Sequence, residues 1–350
     1  MRKGLIILFV SLASGVAVLF VAYLVFRKPQ TSLTQAENLS LTITPLASAD
    51  MTELFGNDFF IAPGLVFIQG LELSSRNPHF GGWSGIAVTK NDSRLSAVSD
   101  TGHWLEADLL TDHGQITAMN AARIGPLRNT RGNTLRESGY GDIEAIGMDD
   151  NRFYLAFESY RSGIWSAPRR ASLEHTGFER WPSPAEMTRL PVGRGLEALA
   201  VIDGADENSS RLLAIAERNY GKVGARTPAW IFKTDRQAEA FFYIPLTDGY
   251  DVSDAAFHPQ CGLFLLQRKL TGFGRFYVRL LKLEPRLSGA WTNAVQQRLF
   301  EASSAGRAID NMEGLAVTRD PAGECRLYLL SDSNFLPIQK TVLLKFGYRS

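Results

Sequence analysis

Residues 311–346 read NMEGLAVTRDPAGECRLYLLSDSNFLPIQKTVLLKF, and this stretch decides how the chain is parsed. An acidic residue, Glu313, opens a short apolar strand at 315–317. A turn rich in Pro, Gly and Asp follows, then a second strand at 326–330 ending on Asp332, and a third at 341–346. Apolar runs this short, bounded by turn formers, signal strands and not helices.

Four earlier stretches share the plan: WSGIAVTKNDSRLSAVSD (83–100), DIEAIGMDDNRFYLAFE (142–158), GLEALAVIDGADENSSRLLAIAE (195–217) and VSDAAFHPQCGLFLLQR (252–268). Their opening residues, Ser84, Glu144, Glu197, Asp254 and then Glu313, are spaced 60, 53, 57 and 59 residues apart. A period of this size leaves room for four strands and a long loop, the content of a propeller blade. The expected fold is an all-β propeller with five blades counted, a degenerate sixth having room in the spacers at 124–140 or 288–308. The last copy runs out of chain after its third strand, and LVFIQGLEL (65–73) belongs to no hairpin. Residues 65–73 are therefore expected to supply the outer strand of the fifth blade and close the circle.

Net charge is +1 and 45% of residues are hydrophobic, which suits a globular core and offers no bulk electrostatics for nucleic acid. The N-terminus differs. Arg2 and Lys3 precede an uncharged apolar run of 23 residues at 4–26, closed by Arg27 and Lys28. That length spans a bilayer and exceeds a usual signal-peptide core. Residues 1–28 thus read as a membrane anchor, a cleaved signal peptide being the alternative. Residues 29–57 read as a polar tether and 58–350 as the propeller, placed in the periplasm outside a bacterial inner membrane. Only Cys261 and Cys325 occur, in equivalent turns of neighbouring repeats. An exported compartment permits a bridge between them, and two separate thiols are equally open.

Hairpin pairing carries the chemistry. The start of one strand lies beside the end of the next, so Glu144 should meet Glu158, Glu197 meet Glu217, and Glu313 meet Asp332. In a propeller these hairpin ends converge on one mouth of the central channel. The expected rim is Asp100, Asp142, Glu144, Glu158, Glu197, Glu217, Asp254, Glu313 and Asp332. Gathered carboxylates repel unless a cation compensates. Hard oxygens in this number suit Ca²⁺, or Mg²⁺ with retained waters; the plain alternative is that each acid caps its own turn. His103, Arg161 and Arg218 follow closing acids and are expected to steady an oxyanion, with Glu144, Glu197 and Glu313 as catalytic carboxylates and a small anionic ester as substrate. GWSGI around Ser84 lacks the last glycine of a nucleophile elbow, since Ile86 stands there. Ser84 fits better as a replacement for the acid of its repeat.

GGWSGIAV…LSAVSDTGHW, DIEAI…LAFE, GLEALAV…LLAIAERN and NMEGLAV…LYLLSDSNF…QKTVLLKF together resemble the phytase-like, or "esterase-like activity of phytase", family of bacterial exported proteins, over residues 65–346. The resemblance implies a β-propeller with acidic repeats and phosphoester or ester hydrolysis. Where such proteins often carry Asp-Arg-Gly after the first hairpin, this chain has Asp100-Thr101-Gly102. That departure weakens the case for a charged substrate contact at this position.

Overall fold

The computed structural model describes residues 31–158, 162–191, 193–202, 210–218, 226–233, 235–284 and 294–349. These residues form five sheets, antiparallel except where Arg128–Asn129 runs parallel to Gly177–Arg180, with the inner strands Trp83–Val88, Ile143–Met148, Leu196–Ile202, Asp251–His258 and Asn311–Arg319. Each inner strand touches the next and the fifth returns to the first, so the sheets are blades 1 to 5 of a propeller. Among the described residues there is no sixth sheet. Of the spacers with room for it, residues 124–129 and 295–303 instead extend the outer parts of blades 1, 2 and 4, and residues 288–293 lie outside the described residues.

Five apolar cores fill the gaps between neighbouring blades, and period-two alternation explains them. In the second strand of blade 5, Cys325–Asp332, Leu327 and Leu329 pack with Phe264 and Leu266 of blade 4. Tyr328 and Leu330, pointing the other way, pack with Leu95 and Leu105 of blade 1. A strand buried on both faces reads as a continuous apolar run, which is why LYLL, LLAIA and LFLL mark the second strands so plainly.

Closure of the ring follows the sequence expectation. Leu65–Ser74 pairs antiparallel with Thr341–Tyr348, completing blade 5 from the N-terminal side. The tether expected at 29–57 is corrected. Glu37–Asn38 extends blade 1, Thr42–Pro45 extends blade 5, and the helix Met51–Phe55 follows, capped at its N-terminus by Asp50. Leu39, Leu46, Leu54 and Phe55 are buried. Their spacing fits neither helix nor strand period, so this docking has no local signature. Residues 1–28 lie outside the described residues, among which no helix is long and apolar enough to cross a membrane.

Just below the upper mouth of the channel the inner strands approach one another closely. Gly85, Ala145, Ala198, Asp254 and Gly314 stand at equivalent register there. A Cβ on Gly85 would lie 2.9 Å from the Cα of Ala145, so only hydrogen fits. Asp254 fills the waist, 1% exposed. It accepts hydrogen bonds from the backbone N–H of Ala255 at 2.8 Å and of Leu315 at 2.6 Å, and from that of Leu199. One carboxyl group therefore ties blades 3, 4 and 5 together. Cys261 and Cys325 form a disulfide that joins blades 4 and 5, closing a separation of 64 residues.

Two stability outcomes are expected, both measured by urea denaturation. Replacing Cys261 and Cys325 by Ser should cost about 2–4 kcal/mol, the usual effect of opening a long loop. Asp254→Ala leaves buried N–H groups without an acceptor and should cost about 3 kcal/mol or more, whereas Asp254→Asn, which keeps one acceptor oxygen, should cost clearly less.

Candidate functional site

A single irregularity recurs at the top of every inner strand. The pairing with the second strand slips at Ser84, Glu144, Glu197, Ser253 and Glu313, each the extra residue of a β-bulge. A bulge bends its strand and re-aims a side chain that would otherwise face the neighbouring blade. Two residues earlier, regular pairing resumes. Asp142 lies opposite Glu158, Gly195 opposite Glu217, Asp251 opposite Arg268, and Asn311 opposite Asp332. The direct cross-strand partner of Glu158 is thus Asp142, and Glu144 reaches the same place from its bulge.

Blades 2 and 3 bring the acids together. One carboxylate oxygen each from Asp142, Glu144 and Glu158 lie within 4.8 Å of one another, as do those of Glu158, Glu197 and Glu217. Glu158 belongs to both groups. Gly195 makes the junction possible: its N–H donates to Glu158 Oε1 at 3.3 Å, and a Cβ there would sit 2.2 Å from the carbonyl oxygen of Glu158. Burial, reinforced by Glu197, Asp142, Asp100 and Glu158, holds the Glu144 carboxyl well above the usual range. Burial does the same to Glu197, against the opposing pull of Arg268. Glu158 is raised as well, by burial and then by Asp142. These hard oxygens, crowded and partly stripped of water, fit a divalent cation such as Ca²⁺ by charge and donor type.

Cations arrive from one side. Blade 4 breaks the repeat, with Ser253 in the bulge and Arg268 where blades 2, 3 and 5 place Glu158, Glu217 and Asp332. Arg268 donates to Glu313 and, at 2.8 Å, to the side-chain oxygen of Asn311. Asn311 Nδ2 donates in turn to Glu313 at 2.6 Å. Arg194 donates to Glu217 at 2.6 Å. All five of these side chains line a cavity of about 910 Å³ that opens beside the carboxylates on the upper face of blades 4 and 5.

Other expected site residues stand elsewhere. Asp254 sits below the rim because the repeat-equivalent residue of blade 4 is Ser253; the sequence offered an acid one position later, and the bulge decides between them. His103 is turned into blade 1, 1% exposed, its Nε2 accepting the N–H of Leu33 at 3.4 Å. Burial pushes its imidazole down to about 3, so it is neutral and cannot steady an anion. Thr101 hydrogen-bonds to Ser99 and to His103 Nδ1 within this buried knot. Arg218 is held by Asp251 and by the carbonyl of Tyr250 at 3.2 Å. Asp332 caps its own turn, accepting from Asn334 N–H at 2.7 Å. Asp100 contributes to the field at Glu144 from blade 1. Ser84 donates to the carbonyl of Ile143, linking blades 1 and 2. Arg161 lies outside the described residues. Arg268, Arg194 and Asn311 were not anticipated as site residues, although the missing acid in the fourth repeat marked the first of them.

Among solved structures, a GH62 hydrolase in complex with xylotriose is similar at 12% identity with a TM-score of 0.46, covering 81% of this chain and 95% of that one. A gluconolactonase from Xanthomonas campestris is similar at 13% identity and a TM-score of 0.39, with coverages of 91% and 99%. The β-propeller domain of Cps50 (Swd1) from Myceliophteria thermophila is similar at 11% identity and a TM-score of 0.35, with 79% of each chain covered. No curated protein matches the sequence. The family described as "Esterase-like activity of phytase" matches residues 78–335, most of the chain and four complete inner hairpins together with that of blade 5. The chain belongs to the phytase-like family.

Proposed function

We propose that this protein hydrolyses small phosphate or related anionic esters at the upper mouth of its channel, held at a bacterial inner membrane by residues 1–28 with the propeller in the periplasm. The observation that carries the reading is the pair of three-carboxylate groups sharing Glu158, set beside a cavity lined by Arg194 and Arg268. Asp142, Glu144, Glu158, Glu197 and Glu217 would hold Ca²⁺. When bound, such an ion supplies a Lewis acid and a water of lowered pKa. Arg268 and Arg194 bind and orient anionic oxygens, as guanidinium groups do. Glu313 and Asn311 fix the direction of Arg268. Glu197, whose carboxyl is held by burial well above its ordinary range when no ion engages it, is placed to hold or accept a proton.

One set of contacts favours a second reading, a non-catalytic propeller whose ion only stiffens the junction of blades 2 and 3. Arg194, Arg218 and Arg268 each already hold an acid, which is what a purely structural network requires. The double variant Glu197→Gln, Glu313→Gln separates the two readings. With p-nitrophenyl phosphate, the full chain should turn over in Ca²⁺ and stop in chelator. The variant should lose about 10²-fold or more in kcat while keeping its fold. Inactivity of the parent under both conditions, with a calcium-dependent melting temperature, would favour the structural ion.

The pH dependence has a definite sign. Glu144, Glu158 and Glu197 have folded-state values above the ordinary 4.5, so the stability tied to their neutral forms is complete below 4.5 and is lost as pH rises through the raised values. Chelator-treated protein should therefore lose more melting temperature between mildly acidic and neutral pH than does Glu144→Gln, Glu197→Gln. Calcium should raise the parent's melting temperature more at neutral than at acidic pH, because the ion competes with protons for the same oxygens. Calorimetry at several pH values measures both differences.

A further inference from the structure

Among the described residues, the two most exposed large apolar side chains share one cavity. Ile338 at 70% and Leu270 at 62% exceed the others, and both line the mouth cavity. Leu270 stands at the upper end of the strand Gly262–Thr271, and Ile338 in the segment that follows Asp332. Phe276, Ile309 and Leu336 add apolar surface to the lining of the same cavity. The cations of this cavity are matched by acids. Arg194 pairs with Glu217, Arg268 with Glu313, Arg307 with Glu53 and Lys340 with Glu72. A cavity with balanced charge and a bare apolar flank is poorly matched to a compact polyanion. It matches an amphiphile that carries one charged group.

The route of the chain gives this apolar surface its orientation. Leu33 meets His103, the first residue of the third strand of blade 1, and Thr34 accepts from Arg128 just beyond the end of the fourth strand. Both contacts lie at the same end of the blade as Asp100, so the N-terminal segment joins the propeller on its upper face. Between the end of the apolar run at Phe26 and Leu33 there are seven residue steps, a reach of at most about 25 Å. A chain anchored through residues 4–26 therefore keeps its upper face close to the bilayer. Two apolar side chains alone would hold a free protein weakly on a membrane, but tethering makes the contact intramolecular and raises the effective concentration to the millimolar range.

We infer that the upper face, through Leu270 and Ile338, docks on the lipid surface, and that the mouth takes its substrate from the bilayer as an amphiphilic ester with its acyl part along Phe276, Ile309 and Leu336. The inference rests on the anchor and on the hydrolase reading above, and its two parts are tested separately. The full chain, reconstituted in phosphatidylcholine vesicles, is labelled with an environment-sensitive fluorophore at Leu270→Cys, Ile338→Cys or Leu110→Cys. Leu110 is 50% exposed and lies toward the opposite end of blade 1. Nitroxide-bearing lipids should quench the labels at positions 270 and 338 about twofold or more and leave that at 110 nearly unchanged, as interfacial insertion requires. Equal quenching at all three positions, none at 270 and 338, or a chain that fractionates free of vesicles would overturn the docking. Hydrolysis is then read on a phosphatidic acid carried in the vesicles and on soluble p-nitrophenyl phosphate. Turnover of the lipid at least about tenfold above the soluble ester, in kcat/KM, supports the amphiphile. Turnover of the soluble ester with none of the lipid overturns the substrate assignment and leaves the hydrolase reading standing. Quenching as expected with neither ester turned over keeps the docking and removes the hydrolase.

Discussion

Five inner strands converge on one axis so closely that their backbones nearly touch, and most of the molecule follows from that crowding. At the waist the side chains are hydrogen or methyl, save for Asp254. Polar side chains meant for the axis have to appear above this level, and the β-bulge at the top of each inner strand places them there. The bulge is thus the device that turns a packing limit into a chemical site. Asp254 is the exception that the geometry permits, since three backbone N–H groups surround it and replace the water it has lost.

The same convergence sets the electrostatics. Acids separated by tens of residues in sequence are brought within 4.8 Å, and burial then works against their ionisation. Such an arrangement persists only if protons, a metal ion or guanidinium groups offset the repulsion. Blade 4 supplies part of that compensation. Its arginine, at a position where the other blades carry acids, breaks the ring's symmetry on the side where the cavity lies. A fully regular rim would have been more repulsive and less accessible.

Closure of the ring is managed at three levels. The strand Leu65–Ser74 completes blade 5 by backbone hydrogen bonds. The disulfide joins blades 4 and 5 near the lower turns, and the N-terminal segment lies along the outer edges of blades 1, 5 and 4. A propeller's weakest place is the seam where first and last blades meet, because chain connectivity does not hold it. Here the seam is moved inside blade 5 and overlaid by chain.

The period of the hairpins, the identity of the second strands and the closing role of residues 65–73 were all legible in the sequence. The strands depend on alternation within a short window, which backbone geometry dictates locally, and the closing role of residues 65–73 follows from counting strands, since the last repeat lacks its outer one. So was the gathering of acids at the hairpin ends of blades 2 and 3, because antiparallel pairing joins strand ends; the meeting of Glu158 with Glu197 and Glu217 needs the convergence of the two blades as well. Tertiary structure alone decided which residue of blade 4 occupies the bulge. Ser253 and Asp254 are adjacent, and only contact with blades 3 and 5 settles which of them faces the axis. It also decided that His103 is a buried, neutral partner of Leu33, that Arg218 is committed to Asp251, and that residues 33–57 are woven into the blade edges. Those outcomes depend on contacts between segments far apart in the chain, and on the loss of water that accompanies them, and neither is written in any local run of residues.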